Sequence, residues 1–305
     1  DDERFTVWKK ASVYAGFESM QELLSGYITH VRPVFSPGEN YLEIWIMDAS
    51  VRLDREEKRK AWPNKTDSDI AGEILNENGF TPQVEDTAIV HDEKVSTIMQ
   101  RETDLKFLQR LARRNGFQFY VQEDKAYFCK LNFDTPLQPV LAYNFGEETN
   151  LDSFHIEVNG LTAANVGAFQ VDPLVKTTTD IMVLQSDQAV LGRVKPEEFS
   201  AAGVPQPLTM VSMNAVTGNV EMGTLCRSIF DRGQWFVTAE GTIPANIYGH
   251  VLEARKNVTV KGIGETYSGV YHITHVTHSF TGSGYVQRFR AQRNALMVTG
   301  TEVFV

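Results

Sequence analysis

Residues 100–117 read Gln100-Arg101-Glu102-Thr103-Asp104-Leu105-Lys106-Phe107-Leu108-Gln109-Arg110-Leu111-Ala112-Arg113-Arg114-Asn115-Gly116-Phe117. Thr103 is a favoured N-cap, because its hydroxyl can accept one of the amide protons a helix leaves unpaired at its start. Leu105, Leu108, Leu111 and Ala112 then fall on one face. Arg110, Arg113 and Arg114 suit the C-terminal end of the helix dipole, and Gly116 supplies the stop. The stretch predicts an amphipathic helix that needs a sheet to cover. Phe117 to Gln122 and Ala126 to Leu131, separated by Glu123-Asp124-Lys125, read as a β-hairpin that provides one. Upstream, Ile70, Ile74 and Leu75 form a second stripe, with Asp67-Ser68-Asp69 as the charged cap and Asn78-Gly79 as the stop. Two helices and a hairpin define a compact α/β insert over residues 63–135.

On both sides of the insert the pattern is β. Residues 1–62 predict a first β-barrel from Ser12 to Gly16, Tyr27 to Phe35 and Tyr41 to Asp48, punctuated by Ser36-Pro37-Gly38-Glu39-Asn40. Only Glu43 breaks the last of these runs, which predicts cover on both faces. The mixed charges from Asp54 to Lys60 read as a solvated linker or loop. Residues 136–172 and 208–305 predict a second barrel or sandwich, with 173–207 as a loop-rich insertion. Phe154 to Val158 alternates, with Val166 to Val171 as its expected partner, and Val220 to Phe230 reads as a helix ending at Gly233. Strands are expected at Thr238–Ile243, Val251–Leu252, Val258–Val260, Val270–Phe280 and Tyr285–Ala291, the last two joined through Gly282-Ser283-Gly284.

Composition narrows the class of protein. At roughly 100–200 residues per domain, 305 residues correspond to about two domains. An apolar fraction of 42% with 22% charged residues excludes collagen-like and disordered chains. With 29 basic against 39 acidic residues, a net charge of -10 argues against a surface built to neutralise nucleic-acid phosphates, so no sequence-specific nucleic acid is expected as a partner. No window approaches 18 apolar residues, which predicts no membrane insertion, and Asp1-Asp2-Glu3-Arg4 is not the start of a signal peptide. The missing initiator Met suggests a start inside a longer gene product or after processing, with an N-terminal strand of the first barrel absent. Cys129 and Cys226 belong to no C-x-x-C pair, and free thiols are expected.

Candidate chemistry dissolves on inspection. His272, His275 and His278 crowd one strand, but a period of two puts His272 and His278 on one face and His275 on the other, so no shared metal is expected. Gly262-Ile263-Gly264-Glu265-Thr266-Tyr267-Ser268-Gly269 lacks the Lys-Ser/Thr pair of a phosphate loop and reads as a tight turn. Glu147-Glu148 supplies two carboxylates of the kind glycosidases use, without a spacing that fixes their geometry. Asn64-Lys65-Thr66 and Asn257-Val258-Thr259 match the glycosylation tripeptide, which is frequent by chance. Trp8, Trp45, Trp62 and Trp235 are scattered, and core packing is their expected use. No catalytic, cofactor-binding or metal-ligating residue is assigned, and no enzyme activity is expected. Binding or assembly is the default.

A family resemblance goes further. Thr66-Asp67-Ser68-Asp69-Ile70-Ala71-Gly72-Glu73-Ile74-Leu75, Asn78-Gly79-Phe80, the Gln-x-Glu-Thr-Asp helix start at Gln100 and Asn115-Gly116-Phe117 resemble the phage late control protein D family. Gly26-Tyr27-Ile28-Thr29, Gly262-Ile263-Gly264, Ser268-Gly269-Val270-Tyr271, His275-Val276-Thr277-His278, Gly284-Tyr285 and Arg293-Asn294-Ala295 agree with it. That family forms baseplate hubs of contractile tails, and the hub portion of type VI secretion VgrG is similar. The resemblance implies a mainly β fold with two tube-like antiparallel β-barrels plus a small helix-hairpin insertion domain. It further implies a homotrimer that places six barrels around a channel and adapts threefold to sixfold symmetry. Its partners would be a spike protein, a tail-tube or tube-initiator protein and other baseplate proteins. Its location would be a phage virion tail baseplate or a contractile injection particle, extracellular or assembled in the cytoplasm. Because the sequence stops at Val305, without a domain like the one that continues VgrG, the spike is expected to be a separate polypeptide. The alternatives are a hub with an added cell-wall hydrolase or cargo-binding activity, and a stand-alone carbohydrate- or peptide-binding β protein.

Overall fold

A computed structural model describes residues 3–16, 20–95, 97–161, 165–171, 176–199, 207–211, 218–300 and 302. The chain divides into two compact units, 1–131 with 170–179 and 213–228, and 132–169 with 180–212 and 229–305. Strand predominates over helix, so the chain is mainly β.

Unit 1 opens with an antiparallel sheet of β1 (Lys10–Ala15), β2 (Gln21–Ser36) and β3 (Glu39–Asp48), in that order. Gly38, at φ +92°, makes the β2–β3 turn that an L side chain would strain. After a 3-10 helix at Ala49–Asp54 come β4 (Glu57–Trp62), α1 (Asp67–Glu77), β5 (Thr81–Val84), β6 (Ile98–Thr103), α2 (Asp104–Asn115), β7 (Phe117–Gln122) and β8 (Lys125–Lys130). The hairpin β7–β8 forms as the sequence predicts, and β5 joins β8 in parallel. Thr103 caps α2 and Gly116 ends it at φ +71°. The cap of α1 is Thr66, one residue before the predicted Asp67-Ser68-Asp69. Its hydroxyl accepts from the Asp69 amide at 2.9 Å while Asp69 returns a bond to the Thr66 amide, a capping box. The inner helix faces, Ile70, Ala71, Ile74, Leu75, Phe107, Leu108, Leu111 and Ala112, form one core with Trp62 and Phe128.

Two expectations for unit 1 need correction. Asp54 to Lys60 is not a linker, since Glu57–Trp62 is a strand paired antiparallel with β6. Its alternation is of charge partners rather than polarity: inward Lys58 meets Asp104 at 2.6 Å and Lys60 meets Glu73 at 3.2 Å. Nor are both faces of Tyr41–Asp48 covered, because Tyr41, Leu42, Trp45 and Met47 are exposed.

Unit 2 is built on a six-stranded sheet. The chain continues through β9 (Gln138–Ala142), β10 (Ser153–Val158), β11 (Asn165–Val171), β12 (Thr178–Val183), β13 (Leu208–Val211), α3 (Asn219–Gly233), β14 (Val237–Pro244), the single turn α4 (Ala245–Tyr248), β15 (Asn257–Lys261), β16 (Gly269–Thr281) and β17 (Gly284–Arg293), of which α3 as far as Ser228 and the ends of β11 and β12 within 170–179 fall to unit 1. The order β10-β14-β17-β16-β15-β9 is antiparallel except for the β9–β15 pair, and the two end strands pair with no further strand among the described residues. Leu141, Val237, Ala239, Ile243, Val258, Val260, Tyr271, Ile273 and Phe289 supply its core. The Gly262–Gly269 segment is the β15–β16 connection, and a Cβ on Gly262, at φ +84°, would stand 1.9 Å from the Tyr143 carbonyl oxygen.

Three expectations change here. β11 does not pair with β10; it joins β12 and β13 in a separate sheet, and β10 pairs with β14. The segment 173–207 carries a strand, β12, and its residues 173–175 and 200–206 lie outside the described residues. Val251–Leu252 is not a strand: buried Leu252 instead gives its amide proton to the Gln287 side chain at 2.7 Å.

Candidate assembly surface

The residues that carry the sequence resemblance converge inside unit 1. Gln100, fully buried, accepts the Trp62 indole proton at 3.3 Å and donates to Asp104 at 2.7 Å. Asp104 also holds Lys58 and accepts from the Asn78 amide at 3.1 Å, so the C-terminus of α1 is fastened to the start of α2. Thr103 donates to Asp54 at 2.6 Å, and Glu102 takes Arg110 at 2.6 Å. A buried indole N–H and a buried carboxylate both need partners. The Gln-x-Glu-Thr-Asp pattern is the spelling of that bracket.

Beside it lies a buried charge network that sequence inspection does not reveal. The Asp67 carboxylate contacts His91 Nε2 at 2.9 Å and Asn115 Nδ2 at 2.6 Å, with Arg114 Nε at 3.5 Å. Glu221 accepts from Arg114 and stands 3.4 Å from His91 Nδ1. Burial pulls the Arg114 pKa down, opposed by the Asp67 charge. Asp67 looks like a cap and Arg114 like a dipole partner when each helix is read alone. Their meeting with His91 and Glu221 depends on segments that no local spacing relates.

Unit 2 has a different centre. Arg293, fully buried, donates to the carbonyls of Leu191 (2.7 Å), Ser268 (2.9 Å), Met297 (2.8 Å) and Tyr267 (3.3 Å). Among the described residues no carboxylate lies within ion-pairing distance of it. Burial lowers its pKa. A Cβ on Gly269 would come within 2.6 Å of its guanidinium and one on Gly192 within 2.8 Å, so both glycines are there to admit it.

The strand histidines are sorted by a bulge. A register shift between Ile273 and His275 aligns His272 with Gln292 and His275 with Arg290, placing these two on one face and His278, opposite Gln287, on the other. The regular alternation had grouped His272 with His278. His272 is buried against Phe133 and Trp235, and its Nδ1 bonds Asn257 at 2.8 Å. Burial, with the nearby Arg255 charge, depresses its pKa to about 4. His275 meets Thr277 at 3.2 Å and His278 meets the Tyr285 hydroxyl at 2.8 Å.

The other sequence candidates take structural places. Glu147 and Glu148 sit on an exposed 3-10 turn, where Glu148 pairs with Lys261. Asn257 is 2% exposed and could carry no glycan in the folded chain, while Asn64 accepts from the Glu93 amide. Cys129 and Cys226 are free, and burial pushes both thiols up, away from nucleophilic character. Of the tryptophans only Trp62 is a core residue. Trp235 is half-buried, and Trp8 and Trp45 are exposed, against the packing expected of all four.

What stands exposed is the β2–β3 ribbon. A bulge at Thr29 sets the register so that Ile28 faces Ile46, Val31 faces Ile44, Pro33 faces Leu42 and Phe35 faces Asn40, all on one side. Exposure along this apolar stripe climbs from 2% at Ile28 to 40% at Leu42 and 81% at Phe35. The opposite side is mixed, with Trp45 edge-on to His30 and Arg32 paired with Glu43 at 3.3 Å. A two-stranded ribbon with one apolar side is a surface built to be covered. Of the end strands of unit 2, β10 adds an edge with no strand partner among the described residues, whereas the outer edge of β9 is capped by Asn150, whose side chain bonds the Val140 carbonyl and the Ala142 amide.

The profile of the Alg8 N-terminal domain family matches residues 1–282. The chain belongs to that family. No curated protein sequence matches it. Among solved structures, the 43 kDa tail protein of prophage MuSo2 from Shewanella oneidensis is similar with a TM-score of 0.63 at 14% identity, over 90% of this chain and 80% of that one. A tail protein from Neisseria meningitidis MC58 gives 0.63 at 13%, over 90% and 81%. An Escherichia coli component of the type VI secretion system, described as structurally similar to T4 bacteriophage tail proteins, gives 0.52 at 14%, over 92% and 63%. The Alg8 N-terminal domain seen here therefore shares its fold with phage tail and type VI secretion proteins. Among the described residues no helix is long and apolar enough to cross a membrane.

Proposed function

We propose that this chain is a structural, non-enzymatic baseplate hub of a contractile tail or injection system, of the late control protein D type. Three copies form a ring in which each contributes two tube-like barrels, from residues 1–62 and from 136–172 with 208–305, with 63–135 as an α/β insert. The ring joins a central spike to the hexameric tail tube and lines the channel, within a virion baseplate or an injection particle. The observation that carries this reading is a tail-protein fold with open sheets and an uncovered apolar ribbon. In a ring, neighbouring copies can cover the ribbon and pair the open edges, which removes both liabilities.

Light scattering of the purified chain, followed by negative-stain class averages, tests the reading. The expected result is a threefold ring with a central hole, formed alone or on adding the spike. A monomer in both cases overturns it. Phe35→Ser with Leu42→Ser is expected to shift the ring toward monomer while leaving the fold intact.

A further inference from the structure

We propose that the β4–β6 ribbon of unit 1 is a docking surface for an extended, acidic polypeptide segment of a partner protein. This goes beyond the hub reading and stands whether or not the chain trimerises. In the β4–β6 register Arg59 lies directly opposite Arg101. Like charges at such positions, about 5 Å apart at Cβ, destabilise a ribbon. Both side chains are exposed, and neither makes an ion pair or hydrogen bond among the described residues. The surrounding acids are already engaged: Glu102 by Arg110, Asp104 by Lys58, Glu73 by Lys60 and Lys65, and Glu77 by Lys60. Within β4 and β6, Glu57 is the one carboxylate on the same outer side, so that side of the ribbon is net positive in a chain of net charge -10.

The arginines line a cleft of about 560 Å³ with Glu57, Lys58 and Met99, whose side chain is 40% exposed and adds an apolar contact. The edges of the ribbon say what kind of chain fits. β4 and β6 pair only with each other. Arg110 already donates to the Met99 carbonyl at 2.8 Å on β6, whereas β4 makes no backbone bond to any other element among the described residues. A strand added along β4 would pair its backbone there and point every second side chain to the side of Arg59 and Arg101. Carboxylates at those positions accept the guanidinium forks. A nucleic acid lacks the backbone to use the edge, and its continuous charge would meet Glu57.

The test uses the full chain and a labelled short peptide of alternating Glu and Thr, with its Lys/Thr counterpart as control, read by fluorescence anisotropy at low salt. The Glu peptide is expected to bind, the Lys peptide not, and R59A/R101A to weaken binding by at least about tenfold with an unchanged circular dichroism spectrum. Arg101→Glu, which pairs Arg59 and removes the repulsion, is expected to abolish binding while raising the melting temperature by roughly 1–3 °C. No binding of the Glu peptide, equal binding by R59A/R101A, or a lowered melting temperature for Arg101→Glu overturns the proposal. Displacement of the peptide by an equal concentration of inorganic phosphate also overturns it, reducing the cleft to a small-anion site.

Discussion

Each unit draws an arginine inward, Arg293 completely and Arg114 with 16% of its side chain still exposed, and the two are satisfied in opposite ways. In unit 1, Arg114 sits between Asp67 and Glu221 with His91 against both carboxylates, so charge is balanced by charge. In unit 2, Arg293 spreads its proton donors over backbone carbonyls from three separate stretches of chain and makes no ion pair among the described residues. The first device ties side chains together, and its energy is a small difference between desolvation and attraction. The second ties loops to β17 through the main chain, which tolerates changes of loop sequence except at Gly192 and Gly269, where the guanidinium needs the room. The ionic device thus constrains residue types and the carbonyl cage constrains chain path.

The contrast can be broken experimentally. Arg293→Met leaves buried carbonyls without donors, each costing about 1–3 kcal/mol, so a loss of at least about 4 kcal/mol is expected in urea unfolding. A loss under about 2 kcal/mol would mean that the loops re-form their bonds with water. Glu221→Gln or Asp67→Asn removes one partner from the unit 1 network and should cost about 3 kcal/mol. The double variant should cost less than the sum, because the two carboxylates share Arg114 and His91. Strict additivity would show that they act separately.

Protonation offers a finer probe of unit 2. The folded pKa of His272, about 4, lies below the ordinary 6.5, so the unfolded chain binds this proton more tightly. The contribution of His272 to stability is complete above about pH 6.5 and declines as the pH falls to about 4, by at most about 3 kcal/mol. Denaturant midpoints across that window should fall with pH, and His272→Gln, which can still donate to Asn257, should flatten that part of the slope. An unchanged slope in the variant would move the effect to another group. The smallest expected change is at the surface pair Arg290–Glu240, 2.8 Å apart with both side chains mostly exposed. Arg290→Ala should alter stability by less than about 1 kcal/mol.

The elements legible in the sequence are those whose signals are local. α2 announces its cap, stripe and stop within Thr103–Gly116, and the hairpins β7–β8 and β16–β17 carry their turns between alternating runs. β4 was illegible because its pattern is Glu-Lys-Arg-Lys, and the inward lysines make sense only beside Asp104 and Glu73. β9, a Gln-Pro-Val-Leu-Ala segment, becomes a strand through a parallel partner more than a hundred residues away. The exposed apolar ribbon was hidden by the same limit. Its Ile, Val, Leu and Phe residues look like core until the register lines them up on one side and exposure rises along it to 81% at Phe35.

By itself the sequence determined a mainly β chain interrupted by a helix-hairpin insert, thiols outside any paired-cysteine motif, and the Gln-x-Glu-Thr-Asp start of α2 with Thr103 as its cap. These follow from periodicity, capping and burial, which act over a few residues. Only the tertiary structure decided that Asp67, His91, Arg114 and Glu221 meet, that a bulge separates His278 from its neighbours, that Arg293 lies among carbonyls and that Arg59 faces Arg101. Those facts depend on strand register and on contacts between distant segments, where a shift of one residue reverses the face of every side chain.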